Sequence, residues 1–181
     1  MTSRSHRVRL AAGVVTTAAL ALAAFVLVWF QPQKLFIDDR VDEALPSGRS
    51  APSGRDAAAA QRPTLRTLSL APFLSHEHAT RGRARVIRLA DGRRYVRFER
   101  FRTSNGPLLR VYLSATPANG PGGAFDDRFL DLGALKGNIG NQNYRIPAAT
   151  SLEAYRSVVV WCKRFGVPFA AAPVTGTDAP A

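Results

Sequence analysis

The longest apolar stretch of the chain lies near its N-terminus, where residues Leu10 to Phe30 form a run of 21 positions without a charge. A helix rises about 1.5 Å per residue, so a run of this length matches a hydrocarbon layer of roughly 30 Å. Trp29 and Phe30 at the end of the run are typical of the aromatic side chains that lie at headgroup depth. The pattern therefore predicts a transmembrane helix over residues 10–30.

The charges on the two sides of this run predict its orientation. The segment after it, residues 34–43, contains only two basic residues, whereas the segment before it contains three: Arg4, Arg7 and Arg9. Because basic residues accumulate on the cytoplasmic side of a membrane segment, residues 1–9 are expected in the cytoplasm. The sequence thus predicts a single-pass protein of the cell membrane with an extracytoplasmic C-terminal part.

Three other interpretations of the run fit less well. A cleaved signal peptide usually has an apolar region of about 7 to 15 residues followed by a small-x-small site, whereas this run ends in Val28, Trp29 and Phe30. The triplet from Ala21 to Ala23 has suitable sizes, but cleavage inside the run would leave an apolar stump. No cysteine follows the run directly, which argues against a bacterial lipoprotein anchor. A buried core helix is usually shorter and is not apolar on every side.

The stretch after the apolar run lacks the pattern of a folded element. Residues 45–63 are rich in Ala, Pro, Ser and Gly and have no apolar period, so they cannot bury enough surface to offset the entropy cost of ordering. The sequence predicts a flexible linker over residues 31–64, within which residues 34–45 could form a short helix. Residues 174–181 are predicted to be a disordered tail.

Residues 65–173 carry the pattern of one mainly β domain. Short runs rich in Val, Ile, Leu, Tyr and Phe alternate with clusters of Gly, Asn, Asp and Pro. Asp91-Gly92 between two such runs is typical of a hairpin, with strands predicted over residues 85–89 and 95–101. Further strands are predicted over residues 109–114, 129–135, 144–147 and 157–165, and one helical turn over 151–155. The turn spacing, without alternating helices, predicts an antiparallel β-sandwich or barrel.

The basic charge of the chain belongs to this domain. The chain has 181 residues and a formal net charge of +12, and residues 65–175 contain 17 basic and 7 acidic side chains. This length leaves room for one ordinary domain besides an anchor and a linker. Nine arginines crowd the predicted hairpin and its flanks: Arg81, Arg83, Arg85, Arg88, Arg93, Arg94, Arg97, Arg100 and Arg102.

Such a group of arginines is either a solvated edge or a face that binds an anionic partner. Phospholipid headgroups and acidic polymers of the cell envelope are the candidate partners of that kind. Nucleic acid is not an expected partner, because the domain is predicted to lie outside the cytoplasm. The charge alone does not decide between the two interpretations.

Two histidines lie two positions apart in Ser75-His76-Glu77-His78. On a strand they would share one face, where neutral imidazoles can bind a metal ion. No third ligand is visible nearby in the sequence. A structural or solvent-facing role is therefore favoured, and no metal site is predicted.

Cys162 is the only cysteine in the sequence, which excludes an intramolecular disulfide and a cysteine-based zinc site within it. Strand alternation places Cys162 on one face with Val158 and Val160. Val159 and Trp161 then point to the other face. A cysteine in this setting is either a small inert core residue or a thiol activated by nearby cations. No Ser-His-Asp set, pair of carboxylates or phosphate-binding loop stands out, so a non-enzymatic function is favoured.

Several separated motifs occur in a distinctive order. They are His78 followed by Gly82, Phe101 followed by Asn105-Gly106-Pro107 and Val111 to Ser114, the stretch Asp131 to Tyr144 with the sequence DLGALKGNIGNQNY, Ile146-Pro147, and Ser157 to Cys162 with SVVVWC. Together they resemble the signature of the DM-thirteen family. The resemblance covers about residues 65–173.

The resemblance implies a β-sandwich-like extracytoplasmic domain, found elsewhere beside haem-binding DOMON modules and proposed to act in electron transfer. Carried over by position, it points to Cys162 as the redox or ligand residue and to His78 as a second family position. The chain departs from the pattern at Leu108, where an acidic residue is expected after Gly-Pro. It also lacks a fused redox module, so electron transfer would need a separate redox protein. The sequence identifies no cofactor.

Two functions are consistent with these observations. In the first, the domain is a membrane-anchored redox module in which Cys162 exchanges electrons, binds a cofactor or forms a transient mixed disulfide with a partner. In the second, it is a non-enzymatic adhesion or scaffold module that binds an anionic surface through its basic face, with Cys162 buried. The accessibility of the thiol distinguishes the two.

Overall fold

The computed structural model describes residues 2–29, 37–47 and 65–175, and in the first of these ranges it describes the side chains of residues 13–28. The chain divides into two units, Met1–Ile37 and Asp38–Ala181. Most of the predicted linker, residues 48–64, lies outside the described residues. The same holds for residues 30–36 and for residues 176–181 of the predicted tail.

Within the described residues, the N-terminal unit is formed by helix α1, Thr2–Trp29. The predicted helix is therefore confirmed as a helix over residues 10–29, and it begins earlier in the chain. Thr17 donates a hydrogen bond from its hydroxyl to the carbonyl oxygen of Gly13, 2.9 Å away and one turn back. Among the helices that the described residues form, none combines the length and the apolar character needed to cross a bilayer. The transmembrane part of the prediction is thus not supported by the structure.

The second unit is a sandwich of two five-stranded sheets. Its strands are β1 Arg40–Asp42, β2 Arg66–Pro72, β3 Leu74–Ser75, β4 Arg81–Arg88, β5 Arg94–Arg102, β6 Leu109–Ser114, β7 Phe129–Ala134, β8 Ile139–Ile146, β9 Ser157–Cys162 and β10 Val167–Pro173. Sheet A has the order β1-β8-β5-β4-β2, and sheet B has the order β3-β10-β9-β6-β7. The described pairs are antiparallel except β1 with β8. The predicted mainly β sandwich is confirmed.

The predicted hairpin forms from β4 and β5. Gly92 in its turn has a φ of +82°, a left-handed conformation that glycine adopts without steric cost. The Asp91 carboxylate accepts hydrogen bonds from the backbone N–H and from Nε of Arg93, at 3.0 and 2.8 Å. These bonds, above all the one from the side chain, hold the pKa of Asp91 below its usual value. The turn places Arg88 opposite Arg94 and so brings arginines together across the sheet.

The main core lies between the two sheets, and β9 contributes one of its faces to it. Val158, Val160 and Cys162 point into this core, as strand alternation predicts. Val159 and Trp161 pack in a second, smaller apolar cluster. Every residue of β9 is buried, so this strand has apolar neighbours on both sides.

The segment before the β domain is not a free linker at residues 40–42. These residues form β1 and pair in parallel with β8. The prediction of a flexible linker is wrong here, and so is that of a short helix, because the backbone groups of the segment bond to another strand. Glu43 continues the contact, since its N–H donates to the carbonyl of Asn141 at 2.8 Å. The folded unit therefore begins at Asp38 rather than at residue 65.

Some strands lack the sequence pattern on which strand prediction depends. β10 reads VPFAAAP and contains two prolines and three alanines, which are depleted in strands, yet five of its seven residues are buried. β2 lies at the edge of sheet A and ends at Pro72, a position that an edge strand tolerates. Residues 163–165, predicted as strand, form a turn instead, and Gly166 closes it with a φ of +65°. The helical turn predicted over residues 151–155 is confirmed as a short 3-10 turn at Leu152–Ala154.

Candidate functional site

Cys162 is the last residue of β9, the central strand of sheet B. Its neighbours across the sheet are Leu109 on β6 and Val167 on β10. The residue has no solvent exposure, and its thiol donates a hydrogen bond to the carbonyl oxygen of Pro107, 3.3 Å from Sγ. The structure therefore places the predicted redox residue inside the core, with a polar partner in a loop.

Residues 103–108 connect β5 to β6 and pass over this thiol; the segment is called the cover loop below. The carbonyl of Leu108 accepts a hydrogen bond of 3.2 Å from the backbone N–H of Lys163, the residue after the cysteine. A Cβ at Gly106 would lie 2.8 Å from the ring of Phe169, so a larger residue here would have to displace that ring or the loop. Movement of this loop would remove the polar contact over the sulfur and open a path to it from solvent.

Two side chains from the segment before β4 contact the start of the cover loop. Oγ of Ser104 lies 2.7 Å from Nδ1 of His78, and Oγ1 of Thr103 lies 2.8 Å from Oγ1 of Thr80. The His78 ring lies on Phe169 with 3.7 Å between ring centroids and 30° between the planes. His78, the second family position in the sequence, therefore contacts the loop that covers Cys162.

Protonation of His78 should weaken the fold. Burial lowers the pKa of His78, although the charge of Glu77 opposes the effect. Because the folded pKa lies below the unfolded value of about 6.5, the unfolded chain binds more protons as the pH falls through that value. We expect the free energy of unfolding to decrease below about pH 6.5, and to decrease less steeply in His78→Gln.

Urea unfolding at a series of pH values measures this difference. His76→Gln is the matched control, because it removes the other histidine of the same segment and leaves His78 in place. Equal pH slopes for the wild type and His78→Gln would contradict the prediction.

His76 has partners of its own. Its Nε2 lies 2.8 Å from the carbonyl oxygen of Ala118, and its ring meets that of Phe125 edge-on, with 5.1 Å between centroids. The prediction that both histidines share one face of a strand is wrong, because residues 76–78 form a bend after β3. In the part of the chain that the structure describes, no group of three or more His, Cys, Asp or Glu is arranged to hold a metal ion.

The end of the signature stretch forms a buried polar network. The hydroxyl of Tyr144 donates to Oε1 of Gln142 at 2.5 Å, and Nε2 of Gln142 donates to the carbonyl of Gly137 at 2.6 Å. Burial raises the pKa of Tyr144, so the phenol keeps its proton and serves as a donor. Both side chains are almost fully buried. This network holds the loop before β8 in place.

Asn138 in the same stretch joins three parts of the domain. Its Nδ2 donates to the carbonyl of Thr103 at 3.0 Å and to Oδ1 of Asp38 at 2.7 Å. Its Oδ1 accepts the backbone N–H of Asp39 at 2.7 Å. The residue is only 1% exposed, so water competes little for these bonds. Asn138 therefore holds the first residue of the cover loop and the segment before β1 together.

A family model matches this part of the chain. The model described as electron transfer DM13 matches residues 72–174, which include the cover loop, the signature stretch and Cys162. The chain belongs to the electron transfer DM13 family. The predicted resemblance is thus confirmed at the level of the family. No curated protein and no solved structure matches the chain.

This DM13 domain departs from the family pattern at Leu108. The residue has a φ of +59° and is 49% exposed. Asp and Asn adopt the left-handed region more readily than leucine, for which it costs about 1 to 2 kcal/mol. The acidic residue that the resemblance implies would therefore suit this backbone. In the present DM13 domain, no carboxylate at this position can take part in the chemistry.

The arginines of the DM13 hairpin differ in exposure: two are buried, four are half-buried, and Arg81, Arg100 and Arg102 are exposed. Arg94 and Arg97 are 7% exposed each, so the interpretation of the whole hairpin as a solvated edge is wrong for these two. The guanidinium group of Arg94 donates to the carbonyl oxygens of Pro147, Ala148 and Thr150. That of Arg97 donates to the carbonyl oxygens of Glu43 and Ala44 and to Oδ1 of Asn143. Arg81 and Arg102 are exposed and lie opposite each other on β4 and β5. An anionic partner would meet the exposed group.

Two contributors to the site are not marked by the sequence as functional. Pro107 acts through its backbone carbonyl, which every residue type has. Asn138 belongs to a signature by which the family is recognised, without a role attached to it. The sequence signal that could have pointed to Asn138 is the concentration of amide side chains in residues 138–143. Asn is depleted in strands and needs hydrogen-bond partners when it is buried.

Proposed function

We propose that this DM13 domain is an electron-transfer module in which Cys162 is the redox residue and a separate redox protein is the partner. The thiol is fully buried on the central strand beneath the cover loop, so the redox function requires the loop to open. The loop is held by residues from other segments, among them His78 and Asn138. The observation that carries the proposal is membership of the electron transfer DM13 family.

Burial of the thiol creates two states that differ in reactivity. In the closed state the sulfur is shielded from oxidants and thiols in solvent. In the open state, with Pro107 displaced, Cys162 loses its proton to solvent and its sulfur bonds to one sulfur of a disulfide in the partner, whose other sulfur leaves as a thiolate. The sequence has one cysteine, so the mixed disulfide is the oxidised state of Cys162, and the thiolate released on the partner is the reduced product.

Labelling of Cys162 in the folded full-length chain tests this function. We expect a thiol reagent to react slowly but faster than the chain unfolds globally, because opening one loop costs less free energy than unfolding the domain. The labelling rate is compared with the unfolding rate under the same conditions, and a visible absorption spectrum of the purified chain reports any bound chromophore. A colourless protein whose thiol reacts only at the rate of global unfolding would overturn the redox function.

Cys162→Ser is the matched variant for experiments in cells, because a serine hydroxyl can still donate to the carbonyl of Pro107. Loss of function in this variant is expected if the sulfur is the redox group. Wild-type behaviour of Cys162→Ser, together with loss of anionic-surface binding in Arg81→Gln/Arg102→Gln, would instead support the scaffold function.

We further propose that the domain lies outside the cytoplasm and that residues 10–30 attach it to the cell membrane. The support for this location is in the sequence, namely the uncharged run and the arginines that precede it. Protease added to intact cells should then degrade the domain. Protection of the domain in intact cells, with degradation after lysis, would contradict the location.

A further inference from the structure

Three aromatic rings form a row across three neighbouring strands of sheet B. Phe129 on β7 stacks on Tyr112 of β6, with 4.3 Å between ring centroids and 24° between the planes. Tyr112 in turn lies 6.2 Å from Trp161 of β9, at an angle of 29°. The row therefore runs from the edge strand of the sheet to its central strand, with one ring on each strand.

The row leads from the surface into the protein. Phe129 is 41% exposed, whereas Tyr112 and Trp161 are 2% exposed each. Ala118 and Phe125, from the loop between β6 and β7, belong to the same buried cluster. This packing buries the faces of the two inner rings and keeps them nearly parallel.

The inner end of the row reaches the residue next to the thiol. Trp161 directly precedes Cys162, and alternation places the two side chains on opposite sides of β9. Cysteine, tyrosine and tryptophan are among the side chains that lose one electron most readily. The structure places one of each in succession here, whereas Tyr95 and Tyr144 lie on the other sheet.

We propose that Tyr112 and Trp161 form a one-electron relay between the surface near Phe129 and the strand that carries Cys162. The inference rests on the proposed electron-transfer function. It adds to that function a one-electron route between the surface and β9 that is separate from the thiol chemistry of Cys162.

Each step of the relay moves one electron and one proton. A one-electron oxidant takes an electron from Trp161, and the proton of its Nε1 passes to water. Tyr112 then gives an electron to the indolyl radical and its phenolic proton to water, while Nε1 regains a proton from water. The oxidant is now reduced and Tyr112 is a phenoxyl radical. A one-electron reductant at the surface returns it to the phenol, with a proton from water.

The electrostatic surroundings of Tyr112 agree with a coupled loss of electron and proton. Burial raises the pKa of Tyr112; the charge of Asp131 adds to this rise, that of Arg110 opposes it, and that of Asp126 adds to it again. The side chain is therefore a phenol and not a phenolate at neutral pH. An electron can leave it at low energetic cost only if the proton leaves as well.

Laser photoionisation of tryptophan in the full-length chain tests the relay. All variants carry Trp29→Phe, so that Trp161 is the only indole, and a dissolved scavenger captures the ejected electron. We expect the absorption of the indolyl radical to decay as that of a phenoxyl radical rises, at a rate that does not change on dilution of the protein. Tyr112→Phe, which keeps a ring in the stack, should abolish this rise.

Tyr95→Phe is the matched control and should retain the phenoxyl signal, because Tyr95 lies on the other sheet. Three results would overturn the relay: no phenoxyl signal in the parent chain, a signal that survives in Tyr112→Phe, or a rate that increases with protein concentration. Near-UV circular dichroism of Tyr112→Phe verifies that the domain is folded. Neither radical involves the thiol, so the labelling rate of Cys162 reports separately on the proposed redox residue.

Discussion

Gly140→Ala should destabilise the domain by about 4 kcal/mol or more, a loss seen only where a substitution breaks a specific structural requirement. Gly140 has a φ of +111°, which glycine adopts without steric cost. A Cβ at this position would overlap the backbone carbonyl of Val41 on β1. Because Val41 is its parallel partner across β1 and β8, the variant must separate the two strands or distort both.

Gly133→Ala is the matched control for this effect. Gly133 has a similar φ of +123°, but nothing lies within 4 Å of the position of its Cβ. Gly133→Ala should therefore lower the free energy of unfolding only by the cost of the backbone conformation, about 1 to 2 kcal/mol. Urea denaturation followed by circular dichroism measures both variants. Equal losses would mean that backbone strain alone sets the cost and that the contact with β1 contributes nothing.

The strands of the fold that follow from the sequence are those whose residues suit their local surroundings. The β-branched run at the end of which Cys162 lies is an example, since such side chains pack well on both faces of a buried strand. The hairpin at Asp91-Gly92 depends on turn chemistry within a few residues. β1 is the opposite case. It has three residues, two of them charged, and its partner β8 lies far away in the chain, so no local pattern specifies it.

The candidate site shows the same division between local and distant causes. The inward direction of Cys162 follows from strand alternation, because a period of two needs only the neighbouring residues. The position of the cover loop over the thiol does not follow from strand alternation. Its bond to the thiol comes from a backbone carbonyl 55 positions earlier in the chain, and the contact of Asn138 with Asp39 spans 99 positions. Such pairings are specified by the three-dimensional fold and leave no mark on residue type.

The signature stretch of the family serves the framework around the thiol. Gly140 lets β1 approach β8, Gln142 and Tyr144 fix the loop that precedes the strand, and Asn138 reaches the cover loop. None of these side chains contacts Cys162 among the described hydrogen bonds. The signature therefore identifies a scaffold that closes over the cysteine, and the reactive group and its scaffold can be tested separately.

Asn138→Ala should both destabilise the domain and open the cover loop. The substitution leaves without a side-chain partner the buried carbonyl of Thr103 and the N–H of Asp39, which is an exposed residue. One buried group left unpaired costs about 1 to 3 kcal/mol, and the exposed N–H of Asp39 can bond to water instead. Because the same bonds hold the start of the cover loop, we expect Cys162 to be labelled faster. Each reduction of about 1.4 kcal/mol in the free energy of opening should raise the labelling rate about tenfold.

Asn143→Ala is the matched control for this prediction. Asn143 bonds to Arg97 and to the carbonyl of Ala44, so it contacts the same N-terminal segment but not the cover loop. Asn143→Ala should lower the free energy of unfolding by about 1 kcal/mol. It should leave the labelling rate of Cys162 in the native state unchanged. If both variants speed labelling in proportion to their loss of global stability, the thiol is exposed by unfolding of the whole domain. If the cover loop opens by itself, Asn138→Ala should increase the labelling rate by more than its loss of global stability explains. Asn143→Ala should not.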